Sequence, residues 1–90
     1  MVRVEEGFVV CEVGGQTVAV ASGALSVRFN GMITLNPAGK LLFECLQKGS
    51  DEEALAQTLV LEYGIDETLA RRDVEKFLEP LKAANVLIYD

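Results

Sequence analysis

The side chains that could carry out chemistry in this sequence are two cysteines, three serines and a few acidic pairs, with no histidine. Cys11 and Cys45 belong to no C-x-x-C pair, and no histidine is present to complete a zinc site with them. Each lies in an apolar run, which is typical of a buried free thiol. A disulfide would need their Cα atoms within about 7 Å, and the sequence leaves that open. The serines have no imidazole base to activate them and lie in no G-x-S-x-G elbow.

The acidic pairs and the double glycine are also explained without catalysis. Residues 51–53 begin a helix, where carboxylates stabilise the positive end of the helix dipole. Gly14-Gly15 opens no helix and is not followed by Lys-Ser or Lys-Thr, which excludes a phosphate-binding loop. The sequence therefore predicts a protein that is not an enzyme and that holds neither a cofactor nor a metal.

Length and charge restrict the class of protein further. The 90 residues predict a single domain, residues 1–90. Fourteen acidic against eight basic residues give a net charge of −6, which disfavours a nucleic-acid partner. No apolar run reaches the ~18–20 residues of a membrane helix, and the acidic N-terminus is unlike a signal peptide. We expect a cytoplasmic domain that binds neither nucleic acid nor a membrane.

Residues 8–20 have the pattern of a β-hairpin, with two β-branched runs around Gly14-Gly15. A two-residue turn pairs Val13 with Gln16 and fixes which residues share a face. One face carries Val9, Cys11, Val13, Val18 and Val20; the other carries Phe8, Val10, Glu12, Thr17 and Ala19. We expect the first face to contact the core, and the second to be covered by the N-terminus or by a partner.

The segment after the hairpin is less regular. Residues 24–31 fit either a strand or a loop, and Asn30-Gly31 is a turn dipeptide. Residues 32–35 predict a short third strand, in which Ile33 and Leu35 alternate with Met32 and Thr34.

Three helices follow, each with a start and a stop signal. Asn36 caps and Pro37 begins the first, and Gly49 ends it. A capping box from Ser50 to Glu53 begins the second, which ends at Gly64. The third runs from residue 66 to about residue 85, and residues 86–89 form a terminal strand or an extended tail. The fold class is therefore α+β.

The last helix has a buried stripe and two shoulders when its residues are placed about 100° apart. The predicted buried stripe consists of Ala70, Val74, Phe77 and Leu81. One shoulder carries Arg71, Glu75, Leu78 and Lys82; the other carries Leu69, Asp73 and Lys76. Pro80 has no N–H to donate to the carbonyl of Lys76, so we expect a kink there.

The order and spacing of these caps and stripes resemble the PqqD family, small peptide-binding domains also called RiPP recognition elements. The resemblance covers nearly the whole chain. Its segments are FNGMI at 29–33, LNPAG at 35–39, LQKG at 46–49, SDEE at 50–53, YGID at 63–66, FLEPLK at 77–82 and NVL at 85–87. Pro80 and Asn85 depart from the family pattern, which has a helix former and a glycine at those places.

The resemblance implies a winged-helix-like fold, with a three-stranded antiparallel sheet followed by three helices. It implies a non-catalytic chaperone that binds the leader segment of a ribosomally made precursor peptide. The chaperone presents this leader to a modifying enzyme, often a radical S-adenosylmethionine enzyme, as in pyrroloquinoline quinone biosynthesis. The leader would add to the edge of the third strand and lie against the third helix. The positions that match this site are Phe29, Met32, Ile33, Thr34, Arg71, Glu75, Leu78 and Lys82.

Two other functions fit parts of the sequence. Residues 70–73 could open the recognition helix of a nucleic-acid-binding or transcription-regulatory winged helix, although the acidic balance opposes it. The apolar hairpin face suggests a structural or oligomerisation module, and we expect a monomer or a weak homodimer. An oligomer would show a concentration-dependent mass without peptide, which separates it from a peptide binder.

Overall fold

The computed structural model describes residues 1–29 and 31–89. The strands are β1 (Val2–Val4), β2 (Phe8–Val13), β3 (Gln16–Ala21), β4 (Met32–Leu35) and β5 (Leu87–Tyr89). The helices are α1 (Leu25–Arg28), α2 (Pro37–Lys48), α3 (Glu52–Tyr63) and α4 (Glu67–Ala83). Strands β2, β3 and β4 form an antiparallel sheet in that order, which confirms the predicted α+β class.

The hairpin register is the predicted one, with Val13 opposite Gln16 and Cys11 opposite Val18. Gly14 and Gly15 have φ of 58° and 82°, and a type I′ turn needs positive φ at both of these positions. Residues with a side chain would be strained there. The double glycine therefore fixes the register of β2 against β3.

The predicted orientation of the hairpin is wrong for most of its residues, although Val18 of the predicted core face is buried. Phe8 and Ala19 belong to the core, whereas Val9 and Val13 are 52% and 53% exposed. The ring of Phe8 packs edge-on against Phe43 of α2, with ring centroids 5.3 Å apart. Alternation defines two faces without saying which one meets the helices, and burial of the large Phe8 ring decides it.

The two chain ends form a separate small sheet. Strand β1 pairs antiparallel with β5, so Val2 lies opposite Tyr89 and Val4 opposite Leu87. Val2 and Val4 are buried in the core. The N-terminal strand therefore shares the core with Phe8 and Ala19 of the other hairpin face, and the C-terminal segment is a strand rather than an extended tail.

Residues 24–29 form neither a strand nor a plain loop. They include the single turn α1, whose Leu25 is buried, followed by the half-buried Phe29. The ring of Phe29 contacts Phe8 edge-on, with centroids 5.6 Å apart. The turn expected at Asn30-Gly31 includes Asn30, which lies outside the described residues.

The helix limits follow the predicted signals, with one shift. The Asn36 side chain accepts a hydrogen bond from the Gly39 N–H at 2.7 Å, as expected for the N-cap of α2. The N-cap of α3 is Asp51, which accepts from the Ala54 N–H at 2.7 Å, and not Ser50. The reason is that the Ser50 backbone exchanges two hydrogen bonds with Val2 of β1.

The later helix ends agree with expectation, and the cysteines are free as expected but less buried than expected. Gly64 ends α3 in a left-handed conformation, with φ of 64°. Asn85 has φ of 59° just beyond α4. Cys11 and Cys45 are half-buried free thiols. No helix within residues 1–29 and 31–89 is long and apolar enough to cross a membrane.

Candidate functional site

The site begins with the hydrogen-bond pattern of the hairpin. Residues that flank a two-residue turn form a hydrogen-bonded pair, and such pairs alternate with non-hydrogen-bonded pairs along an antiparallel ladder. Val13 and Gln16 are the flanking residues here. The backbone N–H and C=O groups of Gln16 and Val18 therefore point to β2. Those of Thr17 and Ala19 point to β4.

The same alternation assigns the two edges of β4. Leu35 and Ile33 lie opposite Thr17 and Ala19, so their backbone groups bond to β3. The N–H and C=O groups of Met32 and Thr34 consequently point away from the sheet. No strand in the described part of the chain pairs with this side of β4, because β5 pairs with β1. Strand β4 is thus an open edge that another strand can extend.

A groove of about 610 Å³ runs beside this open edge. Strand β4, α2, the α3 end and α4 contribute its walls. Its lining is mostly apolar: Ile33, Thr34, Leu35, Asn36, Ala38, Gly39, Leu42, Leu59, Tyr63, Ile65, Asp73, Lys76, Phe77, Pro80 and Leu81. An apolar groove with a few polar groups at its border is the usual form of a binding site.

The wall from α4 is a stripe with the spacing i, i+3, i+4, i+7. Its accessible residues are Asp73, Lys76, Pro80 and the half-buried Phe77, and the buried Leu81 completes this wall. One acidic and one basic side chain thus lie beside an aromatic ring and a proline. In the described part of the chain neither Asp73 nor Lys76 belongs to an ion pair within the protein.

Gly39 sets the depth of the groove at the start of α2. A Cβ atom at this position would lie 3.6 Å from Cε1 of Phe77 and 3.7 Å from Cδ2 of Leu35. It would also lie 3.1 Å from Oδ1 of Asn36, the atom that caps the helix. The missing side chain therefore leaves room between β4 and α4.

The predicted strand residues lie at or near the groove. Ile33 and Thr34 line it, and Met32 is exposed at the start of the same strand. Phe29 lies against Phe8 and does not line the groove.

The predicted residues of α4 are placed differently. Leu78 is 1% exposed and belongs to the core, so the prediction that it lies on an accessible shoulder is wrong. The reverse holds for Phe77, which was expected in the buried stripe but lines the groove. The two are adjacent and differ by about 100° in direction, so a small error in helix phase exchanges them. Glu75 and Lys82 are exposed but do not line the groove.

Arg71 is engaged by two carboxylates away from the groove. Its guanidinium donates to Glu67 at 2.8 Å and to Glu53 of α3 at 3.0 Å. These hydrogen bonds, with Glu67 as the larger contributor, raise the pKa of Arg71 above its usual range. The ion pair between Arg71 and Glu53 connects α4 to α3, so Arg71 has a structural role here.

The fold and the groove together define a winged-helix-like binding domain with an open strand edge. The sequence matches the family described as coenzyme PQQ synthesis protein D (PqqD) over residues 11–87, and the chain belongs to this family. The resemblance inferred from the sequence is therefore confirmed.

Two solved structures are similar over their whole length. One is TbiB1 in complex with the TbiA(beta) leader peptide, with a TM-score of 0.72, 19% identity, and coverage of 98% of this chain and 99% of that chain. The other is lasso peptide synthetase B1 complexed with the leader peptide, with a TM-score of 0.71, 22% identity, and coverage of 98% of both chains. No curated protein matches the sequence.

Proposed function

We propose that this chain binds the leader segment of a ribosomally made precursor peptide and presents it to the enzyme that modifies the precursor. The observation that carries this proposal is the open edge of β4 directly beside the groove. Membership of the PqqD family supports it, as do two similarly folded proteins that were solved with leader peptides. The domain itself acts as a cytoplasmic, non-catalytic chaperone.

The leader binds as an added strand. Its backbone exchanges hydrogen bonds with Met32 and Thr34, whose groups point outward, and this part of the affinity does not depend on leader sequence. Alternate side chains, about 7 Å apart, then enter the groove. Apolar leader side chains contact Phe77 and Leu42 there, and charged ones meet Asp73 or Lys76. The groove therefore supplies the selection among leaders.

The nucleic-acid alternative has less support. Of the two arginines that would open a recognition helix, Arg71 is engaged by Glu53 and Glu67. A phosphate would have to compete with both carboxylates, in a chain of net charge −6.

An amide NMR titration tests the proposal. The probes are synthetic leader segments of the precursor peptides encoded by the source organism. We expect saturable shifts that are largest at residues 32–35 and at Asp73, Lys76 and Phe77. Shifts confined to the other side of α4, around Glu75 and Lys82, would refute this site. No saturable binding to any of the leaders would refute the function.

A pair of charge reversals distinguishes the two shoulders of α4. Lys76→Glu changes a groove residue and Lys82→Glu changes an exposed residue outside it, with the same change in net charge. We expect Lys76→Glu to change leader affinity by up to about fivefold, and Lys82→Glu to leave it unchanged, since exposed pairs contribute up to ~1 kcal/mol. A larger effect of Lys82→Glu than of Lys76→Glu would indicate that the leader binds along the shoulder that carries Lys82.

A further inference from the structure

The face of the sheet turned away from the helices carries no charged side chain among the described residues. Strand pairing places its residues in rows: Val9, Val20 and Met32, then Cys11, Val18 and Thr34, then Val13 and Gln16. We call these eight residues the outer face.

The outer face is apolar, and most of it is accessible. Val9, Val13 and Met32 are each more than half exposed, whereas Val18, in the middle row, is 2% exposed. The solvated face of an antiparallel sheet normally carries polar residues. A contiguous exposed apolar patch is typical of an interaction site.

A second copy of this chain fits the outer face poorly. Two strands of six residues and one of four present a surface of at most about 15 by 20 Å, or about 300 Å². A stable complex needs about 800 Å² from each partner. Each copy also carries a net charge of −6, so two copies repel each other. A partner that binds the outer face must therefore also contact surface that lies outside this face.

The bound leader supplies such contacts, and this step rests on the proposed function. Met32 and Thr34 belong both to the outer face and to the open edge of β4. A leader strand on that edge points alternate side chains into the groove and the others to the outer face. The loaded domain thus presents a wider face, of which one strand is the leader itself.

We propose that the outer face and the outward side chains of the leader together form the docking surface for the precursor-modifying enzyme. The complementary surface on that enzyme is apolar and uncharged at its centre. Because part of the surface exists only in the loaded domain, the enzyme binds the loaded domain in preference to the free one. The enzyme therefore meets the leader and the apolar face in one binding event.

The test uses the purified precursor-modifying enzyme and a synthetic leader as probes. Enzyme binding is measured by biolayer interferometry with and without saturating leader, and leader binding by calorimetry. Val9→Lys changes the outer face, and Glu12→Gln is the control on the other face of the same strand with the same change of +1 in charge. Both positions are exposed.

We expect saturating leader to strengthen enzyme binding to the wild-type domain by about tenfold. We expect Val9→Lys to weaken enzyme binding to the loaded domain by about tenfold, because the interface would desolvate a lysine ammonium without a partner. Glu12→Gln behaves like the wild type, and all three proteins bind leader equally. If Val9→Lys unfolds, the exposed Val13→Lys takes its place. Enzyme binding that is independent of leader, or unchanged in the outer-face variants, would overturn the proposal.

Sedimentation without enzyme provides a further check. A wild-type dimer that Val9→Lys converts to a monomer would show that a second copy occupies the face, which also overturns the proposal. Failure of the wild-type domain to bind leader would refute the proposed function instead, and the leader titration detects that separately.

Discussion

Proline at position 34 tests the open edge of β4 directly. The N–H of Thr34 points away from β3, so Thr34→Pro removes a donor that the protein itself does not use. Edge strands accept proline at such positions, and the preceding Ile33 already lies in the strand that a residue before proline prefers. The domain should therefore stay folded while the edge is blocked.

The expected loss has two parts. A hydrogen bond from the Thr34 N–H to the leader contributes about 0.5–1.5 kcal/mol. The proline ring also occupies the space in which a leader carbonyl would approach, which prevents the neighbouring backbone contacts. A total of about 1.4 kcal/mol or more corresponds to at least a tenfold loss of leader affinity. Thr34→Val keeps the N–H and the branched shape, so it should bind leader like the wild type.

The assay combines calorimetric titration with urea unfolding. A second proline, Ile33→Pro, removes an N–H that bonds to β3 and should lower the free energy of unfolding well beyond the effect of Thr34→Pro. Leader affinity preserved in Thr34→Pro would refute the added-strand mechanism. Unfolding by Thr34→Pro but not by Ile33→Pro would show that the two edges of β4 are assigned the wrong way round.

Three further outcomes follow from the contacts described above. Leu78→Ala should lower the free energy of unfolding by about 2–5 kcal/mol, measured in urea, because it leaves a cavity in the core. Asp51→Ala should lower the free energy of unfolding by about 0.5–2 kcal/mol because α3 loses its N-cap. Ser50→Ala should change it little, because Ser50 pairs with Val2 through its backbone. Gly39→Ala should weaken leader binding in calorimetry because a methyl group fills the groove, with stability within about 1 kcal/mol of wild type. Full affinity in that variant would show that the leader does not reach Gly39.

The sequence predicts the elements well wherever a local backbone signal is strong. Gly14-Gly15 fixes the hairpin register, and Asn36 and Gly64 mark helix ends that depend only on neighbouring residues. The strand pairing of Ser50 with Val2 brings together residues that are distant in the chain. No local pattern contains that information, so the start of α3 was predicted one residue early.

The site was harder to predict because it depends on which way each face turns. The hairpin and α4 both present apolar residues on more than one side, and the packing of Phe8 and Leu78 selects the buried one. The sequence places Asp73, Lys76, Phe77 and Pro80 on one side of the helix, at the spacing i, i+3, i+4, i+7. An aromatic ring and a proline beside two opposite charges are unusual for a solvated helix face, and this combination would have indicated the shoulder that lines the groove.

The pairing of β1 with β5 has a practical consequence for protein engineering. Val2 lies opposite Tyr89, so the backbones of these two residues are about one strand spacing, roughly 5 Å, apart. A short linker can therefore join them, and new ends can be opened at the exposed Gly14-Gly15 tip, to give a circular permutant. The same closeness allows the whole unit to be inserted into a surface loop of a host protein, where it would serve as a transplantable peptide receptor.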